Sequence, residues 1–274
     1  MKKLRNLSQI MKNPLNMSRK QVVAFYFTPP GYDGSQLKPI ILQIIQKAEA
    51  IGLYIHSITS DMGATNQAMW RAFRIGVSRY STIENSISHP IVENRRLFFL
   101  ADGPHLLKNL KNSLFNNKIF KIPEEIMHDN NINFSQVKYD HIKELLQTQE
   151  NLILKLTWKV QLDDLRNNRF SKMKVNKAKQ IFSREISSSL KFLAIQNKKE
   201  EYITTAWFID EVSKWFLLIT SRSPQVALGK NEIREISYQK YNEAVNFLHS
   251  VIKLFRNIRI GSGKKTKLDT STTV

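Results

Sequence analysis

The 274-residue chain is long enough to form one large domain or two modest ones around a buried core. Hydrophobic residues at 42% and charged residues at 24% exclude wholesale disorder, and the absence of cysteine excludes disulfide scaffolds, Cys-based zinc sites and thiol nucleophiles. The 42 Lys and Arg residues outnumber the 23 Asp and Glu residues, and this formal net charge of +19 predicts a polyanionic partner, above all nucleic acid. No apolar run approaches the ~18 residues that span a bilayer, so we expect no membrane partner.

The first elements in the chain alternate between strand and helix patterns. Residues 1–20 form a basic segment without any acid, and they lack the apolar stretch of a secretory signal. The run QVVAFYF, 21–27, predicts a buried strand that ends at a Pro-Pro-Gly turn. Apolar residues at helical spacing from Leu37 to Ile51 predict a helix that Gly52 closes.

Two further strands are predicted before the character of the chain changes. Leu53–Ser60 is β-branched and apolar, a helix is expected over Asn66–Phe73, and Arg96–Ala101 forms the third strand. Strands that alternate with helices in this way predict an α/β layer with a largely parallel sheet.

After Pro104 the strand patterns disappear and helical patterns continue to about residue 260. The last 14 residues, 261–274, are mostly Gly, Ser, Thr and Lys, and this composition predicts a disordered tail. The predicted helices cover His105–Phe115, Gln136–Gln149, Lys172–Ala194, Thr204–Ser221 and Tyr238–Phe255.

Two carboxylates follow predicted strands directly, Asp61 in ITSDMG and Asp102 in FLADGP. The carboxyl ends of strands in open α/β sheets are common ligand sites, and paired carboxylates can bind Mg²⁺. Asp is also a favoured helix N-cap, so either residue can instead begin the helix that follows it. The sequence has no GxxxxGK[ST], GxGxxG or HExxH motif, and its six His residues show no ligand spacing.

Four motifs, in order, resemble the P-element type transposases and their THAP-domain relatives. The first is SDMGATNQAMW from Ser60, and the second is DGPHLLKNLKN from Asp102. The third is KMKVNKAKQIFS, which contains Val175, and the fourth is TAWFIDEVSKWFLLITS from Thr205. Together they cover about residues 20 to 260.

The resemblance implies an RNase H-like catalytic fold that is interrupted by a mainly helical GTP-binding insertion. The expected fold class is therefore an incomplete α/β RNase H-like sheet over 21–104, followed by a mainly α-helical insertion domain over 105–260. The family fold holds two Mg²⁺ ions on three acids for strand cleavage and joining. Asp61, at the end of the family's fourth strand, is the one catalytic and metal-binding acid carried over. Asp102, with Pro104 and His105, is interpreted as structure at the entry to the insertion.

Several of the family's functional positions are missing or changed. The first acid should precede Gln21, but residues 1–20 contain none, and the third acid should follow the insertion, where the chain continues only as the low-complexity tail after Ile260. The family's Cys-containing zinc DNA-binding domain is also absent. In the insertion, the resemblance assigns nucleotide contacts to Lys155 and Val175, whereas the guanine-reading Asp and Asn are replaced by Leu217 and Thr220. Without the resemblance, Lys155 is interpreted as part of a solvated helix face.

The sequence therefore predicts an internal fragment of a P-element-like transposase that is catalytically inactive alone. The alternative is a host-retained basic module that binds nucleic acid or protein without chemistry. DNA is the expected partner, GTP and Mg²⁺ are the cofactors that the family implies, and a nuclear location follows from the family's activity. Whether the chain forms a homo-oligomer stays open.

Overall fold

The computed structural model describes residues 22–27, 31–76, 84–165, 174–221 and 238–261. These residues divide into two compact units, with the boundary between Ala101 and Asp102. The predicted tail at 262–274 and the basic segment at 1–20 lie outside the described residues.

The first unit is a small mixed sheet with two helices. Strand β3 lies in the centre, parallel to β1 and antiparallel to β2. The largely parallel sheet expected from the sequence is therefore mixed. The elements are α1 (Leu37–Ala50), β1 (Ser57–Ser60), α2 (Ala64–Ala72), β2 (Ser86–Ser88) and β3 (Arg96–Ala101).

The register of this sheet separates an apolar face from an open one. Phe99 pairs with Ile58 and lies in the core of the unit with Trp70, while Phe98 pairs with Ser57 on the other face. Phe99 is 1% exposed and Phe98 is 41% exposed, because side chains alternate between the two faces of a strand.

The predicted buried strand at 21–27 is wrong for its described part. Residues 22–27 have no regular secondary structure and are all exposed, with Val22 at 75% and Phe27 at 94%. The second predicted strand begins four residues later than expected, at Ser57. The helix that Gly52 closes is confirmed: Gly52 has a positive φ of 79°, and its N–H donates to the carbonyl of Glu49 at 3.0 Å.

The second unit is mainly helical and contains a second sheet that the sequence did not predict. Its strands follow the order β5-β4-β6, and both pairs are antiparallel. The strands are β4 (Ile119–Lys121), β5 (Gln136–Lys138) and β6 (Arg259–Ile260). The helices are α3 (Gly103–Asn117), α4 (Glu124–Asp129), α5 (Tyr139–Glu150), α6 (Val175–Ile181), α7 (Arg184–Gln196), α8 (Glu201–Thr220) and α9 (Tyr238–Asn257).

Two predicted helices of this unit are shorter than expected. The helix expected from Gln136 begins at Tyr139, because Gln136–Lys138 forms strand β5. The helix expected over Lys172–Ala194 is broken into α6 and α7 at Ser183. The Ser183 hydroxyl accepts a hydrogen bond from the Ile186 N–H at 3.4 Å and so caps α7.

Helices α7 and α8 form the largest packed pair in the second unit. The Ser187 hydroxyl donates a 2.8 Å hydrogen bond to the carbonyl of Ala206, and both residues are fully buried. The remaining core comes from apolar faces of α3, α5 and α9 around the sheet. Within the described residues, no helix combines the length and apolar character needed to cross a membrane.

Candidate functional site

Asp61 lies immediately after strand β1 and is held by a turn built from its own motif. Its Oδ1 atom accepts hydrogen bonds from the Gly63 N–H at 2.8 Å and from the Asn66 side-chain amide at 2.9 Å. A Cβ atom on Gly63 would lie 2.9 Å from Oδ1, so the turn fits glycine closely. The carboxylate is thereby fixed at the carboxyl end of the strand, where ligands bind in open α/β sheets.

The rest of the first motif anchors this turn to the core. The fully buried Trp70 donates from its indole N–H to the Ser60 hydroxyl at 3.0 Å. The same helix, α2, packs closely on the short 3-10 helix Gly34–Gln36, where a Cβ on Gly34 would lie 1.7 Å from the Thr65 carbonyl oxygen. Ser60, Asp61, Gly63, Asn66 and Trp70 of the motif therefore act together to fix one carboxylate.

Asp102 is the N-cap of helix α3. Its Oδ2 atom accepts from the His105 N–H at 3.2 Å and contacts the Nδ1 atom of the same histidine. Pro104 lies in the first turn of the helix, where backbone N–H groups have no partner within the helix, so its lack of an N–H costs no hydrogen bond. The role of Asp102 in the structure is therefore the helix-capping one of the two alternatives. Gly103 follows it, and a Cβ on this glycine would lie 2.8 Å from Ile219 Cδ1 in helix α8.

Lys155 caps the C-terminal end of helix α5. Its ammonium donates to the carbonyl oxygens of Gln149 and Glu150, at 2.9 and 2.8 Å. A cation at these last carbonyls satisfies acceptors that have no partner within the helix. Lys155 also lines a cavity of about 340 Å³ beside the exposed Trp158.

The other positions to which the resemblance assigns nucleotide contacts do not line the cavity beside Lys155. Val175 is the first residue of α6, is half-buried against the core, and does not line the Lys155 cavity. Leu217 on α8 is 47% exposed and apolar. The Thr220 hydroxyl is committed to its own helix, because it donates to the Phe216 carbonyl at 2.6 Å.

Two acids lie upstream of Leu217 in the same helix. Asp210 forms an ion pair of 2.5 Å with Lys191. Glu211 has no such pair among the described residues, and burial raises the pKa of its carboxyl, which favours the neutral form. Helix α8 therefore carries a carboxyl group, that of Glu211, one to two turns before Leu217, where the resemblance implies a guanine-reading Asp.

A polar network that sequence reasoning missed surrounds the buried His141. This side chain is 2% exposed, and its Nδ1 atom lies 2.8 Å from the Thr205 hydroxyl. Burial lowers the pKa of His141 to about 4, although the nearby Glu201, 4.0 Å from Nε2, acts in the opposite direction. The sequence feature that could have indicated this network is Thr205, the first residue of the fourth motif. Its hydroxyl also accepts a hydrogen bond from the Lys138 N–H at 3.1 Å.

A second part of this network joins helices α5 and α8. The Tyr202 hydroxyl donates to Glu144, and Lys199 lies 3.3 Å from the same carboxylate. The hydrogen bond from Tyr202 holds the pKa of Glu144 below its usual value. These contacts connect elements of the second unit and lie apart from the Lys155 cavity.

Potential metal ligands do not cluster in the described part of the chain, which contains no group of three or more His, Asp or Glu side chains able to surround one ion. Asp61 is a hard oxygen donor of the type that Mg²⁺ prefers. A two-ion centre needs carboxylates on both ions, and Asp61 alone does not fit that requirement.

These features are those of a partial RNase H-like sheet followed by a mainly helical insertion domain, and the family models identify both parts. Residues 5–74 match the family described as TNP-like, RNase H N-terminal domain. Residues 104–232 match the one described as TNP-like, GTP-binding insertion domain. The chain belongs to the P-element type transposases.

Named relatives and a solved structure agree with this assignment. The chain is 26% identical over 210 residues to the Transposable element P transposase of Drosophila melanogaster, covering 76% of this chain and 25% of that protein. It is 23% identical over 227 residues to the DNA transposase THAP9 of Homo sapiens, covering 80% and 24%. The fold matches the Drosophila P element transposase strand transfer complex with a TM-score of 0.67 at 22% identity, covering 86% of this chain and 49% of that chain. The chain thus spans about a quarter of the length of both named relatives.

Proposed function

We propose that this chain is a DNA-binding member of the transposase family that does not cut or join DNA by itself. The observation that carries the proposal is the Asp61 turn, which belongs to no group of three or more potential metal ligands within the described ranges. The turn fixes one carboxylate at the end of β1, whereas two-metal cleavage and joining require carboxylates on both ions. Asp61 is the catalytic position in this proposal, and further acids must come from elsewhere for chemistry to occur.

The net charge of +19 supports DNA as the partner. Each Lys or Arg that neutralises a phosphate releases counterions, so the affinity for DNA falls linearly with salt on a log–log scale, by about 0.9 per contact. The test is fluorescence anisotropy of a labelled duplex of arbitrary sequence, titrated with the full chain at rising salt. A steep slope supports the proposal, and binding that stays constant from low to physiological salt contradicts it.

For GTP, the proposal is weak binding that scarcely distinguishes the base. The insertion domain belongs to a GTP-binding type, but Leu217 offers no acceptor to the guanine N1–H and amine. Lys155 is already bonded to two backbone carbonyls, and an ammonium does not distinguish GTP from ATP. The residues at these positions therefore do not fit a guanine-selective site.

The second candidate is a host-retained module that binds nucleic acid or protein without any chemistry. It is favoured by the same departures at Leu217 and Thr220, which remove the family's polar groups. The two candidates differ in the neighbouring reading frame: an upstream strand with an Asp and a downstream helix with a Glu support the transposase. We propose a nuclear location for either candidate, and oligomerisation can be measured by light scattering of the purified chain.

A further inference from the structure

The sheet of the second unit has one buried face and one that carries charge. Phe120 of β4, Val137 of β5 and Ile260 of β6 are fully or almost fully buried. Because side chains alternate along a strand, their sequence neighbours lie on the opposite face. Within the strands, those neighbours are Lys121, Gln136, Lys138 and Arg259, which are polar or basic, and the apolar Ile119.

Register aligns three of these neighbours in a row across the sheet. Lys121 on the central strand pairs with Gln136 on one side and with Arg259 on the other. We call Gln136, Lys121 and Arg259 the donor row. Its three side chains present an amide, an ammonium and a guanidinium, so the row offers N–H donors of two cationic groups side by side.

The donor row places like charges directly opposite each other. Lys121 and Arg259 face one another on antiparallel strands, and such a pair is destabilising. Neither forms an ion pair with a carboxylate of the described residues, and the three strands contain no acid. Lys138, a further basic residue on this face, is by contrast paired with Glu201 at 3.1 Å.

A local arrangement that opposes stability, with no compensating ion pair among the residues that the structure describes, is typical of a binding site. We propose that the donor row is a binding surface for the phosphate backbone of double-stranded DNA. The guanidinium of Arg259 can hold a phosphate through two parallel hydrogen bonds, the ammonium of Lys121 neutralises the next one, and the Gln136 amide donates to a phosphate oxygen. No base edge is contacted, so binding is independent of sequence.

This inference rests on the proposed DNA binding and assigns it to one face. The test compares the double variant Lys121→Gln/Arg259→Gln with the control Lys143→Gln/Lys179→Gln in the full chain. The control residues are exposed helical lysines without ion pairs among the described residues, and both variants lose the same charge. With a labelled duplex of arbitrary sequence, the donor-row variant is expected to bind roughly tenfold more weakly, and its log–log salt slope is expected to flatten by about 1.8. The control should retain nearly the native affinity and slope.

A third variant separates binding from folding. Lys121→Glu converts the like-charge pair into an opposite-charge pair with Arg259, so its melting temperature should equal or exceed that of the native chain. Its affinity for DNA should nevertheless fall further than that of the single variant Lys121→Gln, which is measured beside it and removes one positive charge without adding a negative one. Equal losses in the donor-row and control variants, or full affinity in Lys121→Glu, would overturn the assignment while leaving DNA binding itself intact. Failure of the native chain to bind DNA would instead contradict the proposed function.

Discussion

Asn66 donates its side-chain amide to the Oδ1 atom of Asp61 at 2.9 Å, across the turn between strand β1 and helix α2. This contact explains why an Asn stands five residues after the Asp in the first motif. It orients the carboxylate that the proposed function assigns to the catalytic position.

The first prediction is a measurable coupling between Asn66 and Asp61. A cycle of Asp61→Ala, Asn66→Ala and the double variant, measured by urea unfolding, should give a coupling free energy of about 1 kcal/mol. Each single variant already removes the part-buried hydrogen bond, so the double variant should lose less stability than the sum of the two single variants. Thr65→Ala, one residue away on an exposed side chain, serves as the control. Coupling of the same size between Thr65 and Asp61 would contradict the assigned contact.

The second prediction concerns the two faces of β3. Phe99→Ala should lower the free energy of unfolding by about 3–5 kcal/mol, because it removes a buried aromatic ring that contacts Trp70 and Phe73. Phe98→Ala is the matched control on the open face and should cost well under half as much. Equal losses in chemical denaturation would show that the register is shifted by one residue.

The third prediction is that nucleotide binding is weak and nearly indifferent to the base. Calorimetry with GTP and ATP should give similar affinities for the native chain, because Leu217 offers no acceptor and Thr220 is bonded to its own helix. The variant Leu217→Asp/Thr220→Asn should gain preference for GTP, since the new carboxylate can accept from guanine.

Micromolar, guanine-selective binding by the native chain would show that another group reads the base. The structure offers Asp210 and Glu211 upstream in the same helix, and Asp210→Asn and Glu211→Gln would identify which of them is used. Asp210 is engaged by Lys191, so Glu211 is the first to test.

The fourth prediction is a loss of stability in mild acid that depends on His141. Its folded pKa of about 4 lies below the ordinary value of 6.5, so the unfolded chain binds more protons between these values. Stability is therefore full above about pH 6.5 and falls toward pH 4, by roughly 2–3 kcal/mol. Glu201, Glu144, Asp140 and Lys138 act on the same ring and determine how much of this fall is seen.

Urea unfolding of the native chain and of His141→Gln across this range measures the effect. The variant should lose the His141 part of the pH dependence, whereas His249→Gln, at an exposed position on α9, should retain it. Parallel pH profiles for the native chain and His141→Gln would contradict the prediction.

Local sequence patterns predicted the long helices and strand β3. The elements that these patterns missed form through pairing between segments that are distant in the sequence. Helix α1 and strand β3 follow directly from apolar spacing, and Gly52 marks the end of the helix. Strands β4 and β6 have three and two residues, too few for any periodic pattern, and form only because the chain brings them together. The apolar run at 22–27 has the composition of a buried strand, but its described residues form no strand and are exposed.

The candidate site divides along similar lines. The position of Asp61 after a strand could be predicted from a β-branched run followed by a turn. The roles of Lys155 and His141 could not, because they depend on which carbonyl or hydroxyl the fold brings near them. Sequence spacing identifies the residue types, whereas the partners appear only when distant segments pack.

The central claim is that Asp61 alone cannot support strand cleavage, and a direct assay tests it. The purified chain is incubated with labelled duplex DNA and Mg²⁺ or Mn²⁺, beside Asp61→Ala, and the products are resolved on a denaturing gel. We predict no cleavage or joining products in either sample, because two-metal chemistry lacks its other carboxylates. Cleavage by the native chain that disappears in Asp61→Ala would contradict the account and show that further acids of this chain complete the site.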